Sequence, residues 1–314
     1  MGKIKDFGQQ STLVCATTLS GTGVHTGRPS RVTLHPAEVD TGICFRRTDL
    51  TNGTRSTVIR VQHHNVGSTK WCTEMRNGDG VSVMTVEHLL AALGGAGIDN
   101  CDIHVSGPEI PILDGSSRDF LSAIYGAGIE KQHRARGYIR VLQPVSLKVG
   151  MSSAEFLPDT RSVLETKIDF SHPAIGCQEM TYVASAASFD RDIATARTFG
   201  FLSQAKELRS RGFGLGASLD NTVVLDDSSV MNHNGLRFAD EFVRHKTLDV
   251  CGDLMFAGAP IVGLFRTYRG GHHLNHAAIN CLLAQQEAWE YIVADEPKKA
   301  LITAECVVAV GAAS

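Results

Sequence analysis

The chain has 314 residues, 43% hydrophobic and 20% charged, a composition that excludes an extended disordered polymer and suggests about two domains. Its 30 Lys and Arg stand against 33 Asp and Glu, a formal net charge of −3. That balance argues against a nucleic-acid or other general polyanion binder, but leaves room for a pocket that holds one anionic ligand.

Met1 to Gln10 has no apolar core and no small-residue cleavage site, so no secretory signal is expected. Thr12 to Thr18, Arg31 to His35 and Ile43 to Arg47 are β-rich and separated by the turn-forming Gly21-Thr22-Gly23 and Asp40-Thr41-Gly42. Trp71 to Arg76 and Val81 to Met84 flank Asn77-Gly78-Asp79-Gly80 and read as a hairpin. The period then changes. Val86 to Leu93 is rich in Ala and Leu and predicts a helix stopped by Gly94-Gly95. Asp102 to Val105 returns to strand, and Ile112 to Ser117 is a turn feeding a second helix to about Tyr125.

Glu130 to Gly137 is charged and poorly patterned, and is the best linker candidate. Beyond it the same order recurs. Strands are expected at 138–149, 154–157 and 162–169, a helix after Arg197, and hairpin-like strands around Asn232 to Gly235. A long helix at about 238–257, a strand from Ile261 to Arg266 and a helix at about 275–292 complete the pattern. Strands, then helices, then strands, twice over, predict an α+β fold of two similar halves, divided into domains at 1–134 and 135–314.

The eight cysteines, Cys15, Cys44, Cys72, Cys101, Cys177, Cys251, Cys281 and Cys306, form no CxxC pair, so neither a zinc knuckle nor a thioredoxin-type site is indicated. No apolar run reaches the ~20 residues of a spanning helix. The apolar tail from Leu301 to Ala313 is too short and carries Glu305. Unpaired thiols without a signal or span point to the cytoplasm.

On the long helix, His245, Asp249 and Asp253 are spaced i, i+4, i+8 and share an arc with Phe238, Phe242 and Phe256. Val243, Leu248, Val250, Cys251, Leu254 and Met255 cover the other sides, so this helix is expected to be buried. Buried carboxylates need a partner or a cation. A His and an Asp four apart can chelate one ion, yet such pairs are also plain hydrogen-bonded neighbours, and a third ligand is required. Glu87-His88 opens the first helix. It reads either as an acidic residue favoured by the helix dipole beside a filler histidine, or as a base beside a third ligand. In the second reading two His and one Asp leave a fourth tetrahedral position for water.

Nine blocks in order, from about residue 12 to about 292, closely resemble one family. They include Gly23-Val24-His25-Thr26-Gly27, Thr85-Val86-Glu87-His88-Leu89, Gly97-Ile98-Asp99-Asn100 and Glu109-Ile110-Pro111-Ile112-Leu113-Asp114-Gly115-Ser116. Ala196-Arg197-Thr198-Phe199-Gly200-Phe201, Gly235-Leu236-Arg237-Phe238, Glu241 to Asp249, Gly252-Asp253-Leu254 and Gly271-His272-His273-Leu274-Asn275 follow. The family is that of UDP-3-O-acyl-N-acetylglucosamine deacetylase, the zinc amidase of lipid A biosynthesis in Gram-negative bacteria.

The resemblance implies two five-stranded sheets with the helices sandwiched between them. It implies one Zn²⁺ on His88, His245 and Asp249 (iron can also suit such a set), Glu87 as general base, His272 as acid or electrostatic group, Asp253 as its orienting partner, and an oxyanion hydrogen bond from Thr198. Substrate contacts are expected from Phe199 and Lys246 at the sugar, Asp169 and Phe170 at the uridine, and Arg269 at the diphosphate. An acyl passage is expected near 175–191 and along Leu202, Ala205, Phe213, Leu215 and Val224. The strand from Arg140 to Val145 lacks a Lys that many relatives carry, which puts one diphosphate contact in doubt, and His273 adjoins His272. His63, His64 and His276 are expected at the surface, and His25 near the cleft without a role. The protein is expected to act as a monomer on a UDP-linked acylated amino sugar. A zinc amidohydrolase with another N-acetylated substrate would not need Phe170, Lys246 and Arg269 together. A non-catalytic nucleotide-sugar-binding protein would not need Glu87, His88, His245, Asp249 and His272.

Overall fold

The computed structural model describes residues 8–50 and 56–293, so Met1 to Phe7, the tail from Leu301 to Ala313 and Cys306 lie outside the described residues. Thr17–Thr22 pairs antiparallel with Pro29–Pro36, which pairs antiparallel with Cys101–Val105. Cys101–Val105 runs parallel to Ile43–Arg47, and Ile43–Arg47 pairs antiparallel with Val58–Arg60. The strands alternate as half-buried strands must: Ser30, Val32 and Leu34 face inward on one, Cys101, Ile103 and Val105 on another.

The second sheet repeats this order. Val145–Val149 pairs antiparallel with Ser152–Leu157, which pairs antiparallel with Ile261–Tyr268. Ile261–Tyr268 runs parallel to Ser162–Asp169, and Ser162–Asp169 pairs antiparallel with Cys177–Val183. In both sheets the central strand is the last of the five along the chain. Gly137–Val141 and Trp289–Val293 extend the second sheet to seven strands through the start of Ile261–Tyr268.

Six α-helices are described: α1 (Glu87–Ala96), α2 (Arg118–Ala127), α3 (Ala186–Asp192), α4 (Leu202–Ser210), α5 (Glu241–Leu254) and α6 (His272–Ala284). Helix α1 lies along α5 and α2, α2 on Thr17–Thr22, α5 on Ser162–Asp169 and Cys177–Val183, and α6 on Val145–Val149 and Ser152–Leu157. The helices therefore form a layer between the sheets, in one continuous core that joins Leu34 and Ile103 to Leu89, Leu248, Phe156 and Phe265. Burial of this apolar surface is the main stabilising term. Among the described residues no helix is long and apolar enough to cross a membrane.

Several expected elements differ. Helix α1 continues through Gly94-Gly95 to Ala96 and stops at Gly97, where φ is +74°. The two glycines serve contact instead: a Cβ on Gly95 would overlap the Phe189 ring, and one on Gly94 would lie 2.8 Å from Met255 Sδ. The expected linker is largely a strand, Ile129–Ala135, paired antiparallel with Gln9–Leu13. Its outward side chains are polar, which hides a pairing with residues far away in sequence. The single strand expected over Thr12 to Thr18 is broken around an exposed Val14. The hairpin near Asn77 is shorter, pairing only Met75–Arg76 with Ser82–Val83.

Helix α6 begins at His272 and ends at Ala284, and Trp289–Val293 is a strand that takes up the free edge of Gly137–Val141. Helix α5 is shorter than expected and passes into a 3₁₀ turn, Met255–Ala257. The hairpin expected around Asn232 is reduced to a single antiparallel bridge, Leu225 to Val230. Val223–Leu225 runs parallel to Phe199–Phe201, and the Asn232 side chain bonds the backbone of Val224, Leu219 and Thr222 in place of a second strand.

Candidate metal centre and catalytic cleft

Helix α1 is aimed by the residues before it. Thr85 has φ +58°, a backbone conformation that a β-branched residue adopts only under constraint. Buried Glu109 supplies that constraint, accepting hydrogen bonds from the Thr85 hydroxyl (2.9 Å), the His25 N–H (2.9 Å), the Thr26 N–H (2.8 Å) and the Thr26 hydroxyl (2.6 Å). Glu87 and His88 follow, both buried. On α5, His245, Asp249 and Asp253 are buried as a single stripe. The two helices approach so closely at Gly252 that a Cβ there would overlap the carbonyl oxygen of Glu87.

His88, His245 and Asp249 each offer one ligand atom, all within 4.8 Å of one another, and no other such group occurs among the described residues. Asp249 Oδ1 lies 3.3 Å from His245 Nε2 and 3.8 Å from His88 Nε2, and the imidazole rings stand at 88° to each other. His245 Nδ1 donates to the carbonyl of Ala196 at 3.1 Å, which leaves a lone pair on Nε2. Asp249 Oδ2 accepts from Lys246 Nζ at 2.9 Å, whereas Oδ1 is buried without a partner.

Protonation suits metal binding. Burial first, and then His245, push the His88 pKa down to about 3, and burial also lowers His245. For Asp249 burial favours the neutral acid, but the Lys246 ammonium overrules it and holds the carboxyl well below its usual range. Two neutral imidazoles and a carboxylate with an orphaned oxygen form a donor set that a divalent cation completes.

Beside it, Glu87 Oε2 accepts the N–H of Thr73 at 3.1 Å, while Oε1 is 3.7 Å from His272 Nε2. Burial, with Asp249 and Asp253 nearby, raises the Glu87 pKa to about 8 against the opposing pull of His272. His272 Nδ1 donates to Asp253 Oδ2 at 2.9 Å. Burial disfavours the imidazolium, but Asp253, Glu87 and Asp249 outweigh it and raise His272 to about 9. Expected at the surface, His276 is instead buried, with Nε2 3.2 Å from Asp253 Oδ1, because α6 starts at His272 and places positions 272 and 276 on one face. His63 is half-buried and bonded to Asn280, and only His64 is exposed.

Glu87, His88, His245, Asp249 and His272 line a cavity of about 610 Å³. Thr198 also lines it, its N–H bonded to Gly115 O at 2.8 Å and its carbonyl to Val223 N–H at 2.8 Å. Phe199 stacks edge-on against Phe242 and Phe170, with Lys246 Nζ 5.5 Å from its ring centre. Phe170 and Arg269 line the wall. Asp169 does not line it, and accepts from Arg269 Nη2 at 2.7 Å and from the Tyr268 hydroxyl at 2.9 Å. Arg269 Nε is buried without a partner. His25 reaches the cavity, and His273 is exposed at its edge.

The expected acyl-passage residues do not line the cavity. Leu202, Ala205, Phe213, Leu215, Val224 and residues 175–191 are absent from its wall, which runs instead along Phe201, Gln204, Leu208, Gly214 and Ala217. Helix α4 has no buried residue: Leu208 is half-buried at the cavity, Gln204 borders it while exposed, and Leu202 is exposed away from it, while Ile175 joins a separate small core with Ile168 and Phe242.

Thr73, Asn275, His276 and Glu109 had no assigned part in the site. Nor had the buried pair Arg197–Glu241, whose Nε–Oε1 and Nη2–Oε2 bonds of 2.9 and 3.1 Å tie the segment carrying Ala196 and Thr198 to the start of α5. A residue buried beside a carboxylate leaves no periodic trace when its partner lies on another element.

Residues 10–284 match the family model described as LpxC, UDP-3-O-acyl N-acetylglycosamine deacetylase. Proteins called UDP-3-O-acyl-N-acetylglucosamine deacetylase in Brucella ovis and Brucella canis are each 44% identical over 286 residues, covering 91% of this chain and 99% of their own. The protein of that name from Brucella melitensis biotype 2 is also 44% identical over 286 residues.

Proposed function

The chain belongs to the UDP-3-O-acyl N-acetylglycosamine deacetylase family, and on that premise we propose that it removes the N-acetyl group of UDP-3-O-acyl-N-acetylglucosamine by hydrolysis. The products are UDP-3-O-acyl-glucosamine and acetate, within lipid A biosynthesis. The observation that carries this reading is the convergence of His88, His245 and the orphaned oxygen of Asp249 within 4.8 Å, beside the Glu87 carboxyl and the His272 imidazole.

We assign Zn²⁺ to those three ligands. Bound there, such an ion would supply Lewis acidity and would bring the pKa of a water down to about 7. The charge of a dication on the neighbouring ligands would draw the Glu87 carboxyl back below about 8 and favour its ionised form, so that Glu87 takes the proton of the attacking water at Oε1, its other oxygen being fixed by the Thr73 N–H. The Thr198 hydroxyl donates to the acetyl oxygen as negative charge builds there. His272, protonated below about 9, hands its Nε2 proton to the departing amine nitrogen, while Asp253 holds Nδ1 and with it the tautomer.

The substrate contacts belong to the same proposal. Phe199 and Lys246 take the sugar, Phe170 the uracil, and Arg269, oriented by Asp169, the diphosphate. The unpartnered Arg269 Nε supports an anion there. The acyl chain runs along Phe201, Gln204 and Leu208. We read residues 1–134 and 135–314 as two domains meeting at the site, a division supported by the repeated strand order. The enzyme acts as a monomer in the cytoplasm, where nucleotide sugars are made.

The test is acetate release from UDP-3-O-acyl-N-acetylglucosamine by purified protein, before and after chelation and metal return. Folded, metal-replete protein that releases no acetate would refute the proposal.

A further inference from the structure

Asp253 sits between two imidazoles on α6. Oδ2 accepts from His272 Nδ1 at 2.9 Å and from Asn275 Nδ2 at 2.8 Å. Oδ1 accepts from the Thr73 hydroxyl at 2.6 Å and lies 3.2 Å from His276 Nε2, which is also 3.3 Å from Thr73 Oγ1. Asp253 and His276 are both buried, so these bonds are not exchanged for water.

The hydrogen positions follow from the partners. An ionised carboxylate only accepts, and the Thr73 hydroxyl gives its proton to Asp253, so Thr73 Oγ1 is an acceptor toward His276. His276 Nε2 therefore carries a hydrogen. Its ring stands edge-on to Phe256 with centres 5.0 Å apart, and Nδ1 is buried without a partner. All the polar contact this side chain makes is directed at the pole of Asp253 remote from His272.

We propose that His276 is a positioning residue for the deacetylation reaction: with Thr73 it anchors Oδ1 of Asp253 so that Oδ2 is presented to Nδ1 of His272. Thr73 links the same pole to the base, since its backbone N–H holds Glu87 Oε2 while its hydroxyl holds Asp253. Glu87 and His272 are thereby set against each other through one threonine and one shared carboxylate. His276 touches neither the cavity nor the metal-ligand group, so its effect on turnover passes through Asp253. This inference rests on the proposed deacetylase activity.

The test compares His276→Phe, which keeps a ring against Phe256 but loses the donor, with His276→Gln, which places an N–H near the former Nε2. For His276→Phe we expect kcat to fall by about tenfold or more, as for other residues that orient catalytic side chains, with KM and metal content held within about twofold. His276→Gln is expected to recover most of the loss. Native-like kcat in folded His276→Phe, or equal losses in the Phe and Gln variants, would overturn the assignment. Should His276→Phe fail to fold, Thr73→Val probes the same pole. It removes the 2.6 Å bond to Asp253 and keeps the backbone donor to Glu87, and native-like kcat there would equally overturn the proposal. Acetate release by the native protein in the same assay separates failure of this inference from failure of the deacetylase reading.

Discussion

His272 Nε2 stands 3.7 Å from Oε1 of Glu87. A water or amine nitrogen facing both atoms from the cavity meets an acceptor in one and a donor in the other, the arrangement that acid–base hydrolysis requires. Glu87→Gln preserves the shape of this site and leaves His88, His245 and Asp249 untouched. We expect turnover to fall by about 100-fold or more with unchanged metal content, measured by acetate release and elemental analysis. Undiminished turnover would remove Glu87 from the role of base.

Turnover that depends on a protonated His272 should decline as pH rises. Its pKa is raised to about 9 in the metal-free site, and a dication on Asp249 offsets one of the charges responsible, so the basic limb lies at or below about 9. Asp253 is the largest of the charges favouring the imidazolium. Asp253→Asn is therefore expected to move that limb to lower pH in a kcat/KM profile. Stability follows the same sign. The folded pKa exceeds the ordinary 6.5, so the contribution is complete below about 6.5 and is lost as pH climbs through about 9. Thermal melts of Asp253→Asn should lack this slope.

Chelation should abolish acetate release, and added Zn²⁺ should restore it. Asp249→Asn removes the charge that Lys246 and both imidazoles face, and is expected to lower metal stoichiometry well below one per chain. Full metal occupancy in that variant would argue against the ligand set.

Gly252→Ala should be destabilising although glycine is usually a poor helix residue. The new methyl overlaps backbone, the carbonyl of Glu87, which cannot swing aside as a side chain can. A loss of about 1–3 kcal/mol is expected from overpacking, read from denaturant or thermal unfolding. An unchanged or raised midpoint would show that the helices separate freely.

Much of this site was legible from spacing. His245 and Asp249 share a helix face by periodicity alone, and the phenylalanines of that arc marked it as interior. Glu87-His88 was ambiguous until a third ligand was needed. His276, four positions from His272, carries no sign of burial in the sequence, because its reason for burial, Asp253, lies on a different helix. Gly94-Gly95 looked like a helix stop because a missing side chain signals both flexibility and contact, and only Phe189 and Met255 distinguish the two. The pairing of Ile129–Ala135 with Gln9–Leu13 was hidden for the same reason: its polar outward face carries no trace of a distant partner.

The matching strand orders of the two sheets frame a site that is not itself symmetric. The first-half helix α1 brings His88, while its second-half counterpart α5 brings His245 and Asp249; α6 opens with His272, whereas α2 opens with Arg118. Cut between the halves, one fragment would retain a solitary imidazole and the other a two-point chelate without a base. Each would be inert by itself, and hydrolysis should return only on reassembly, making activity a direct reporter of their docking.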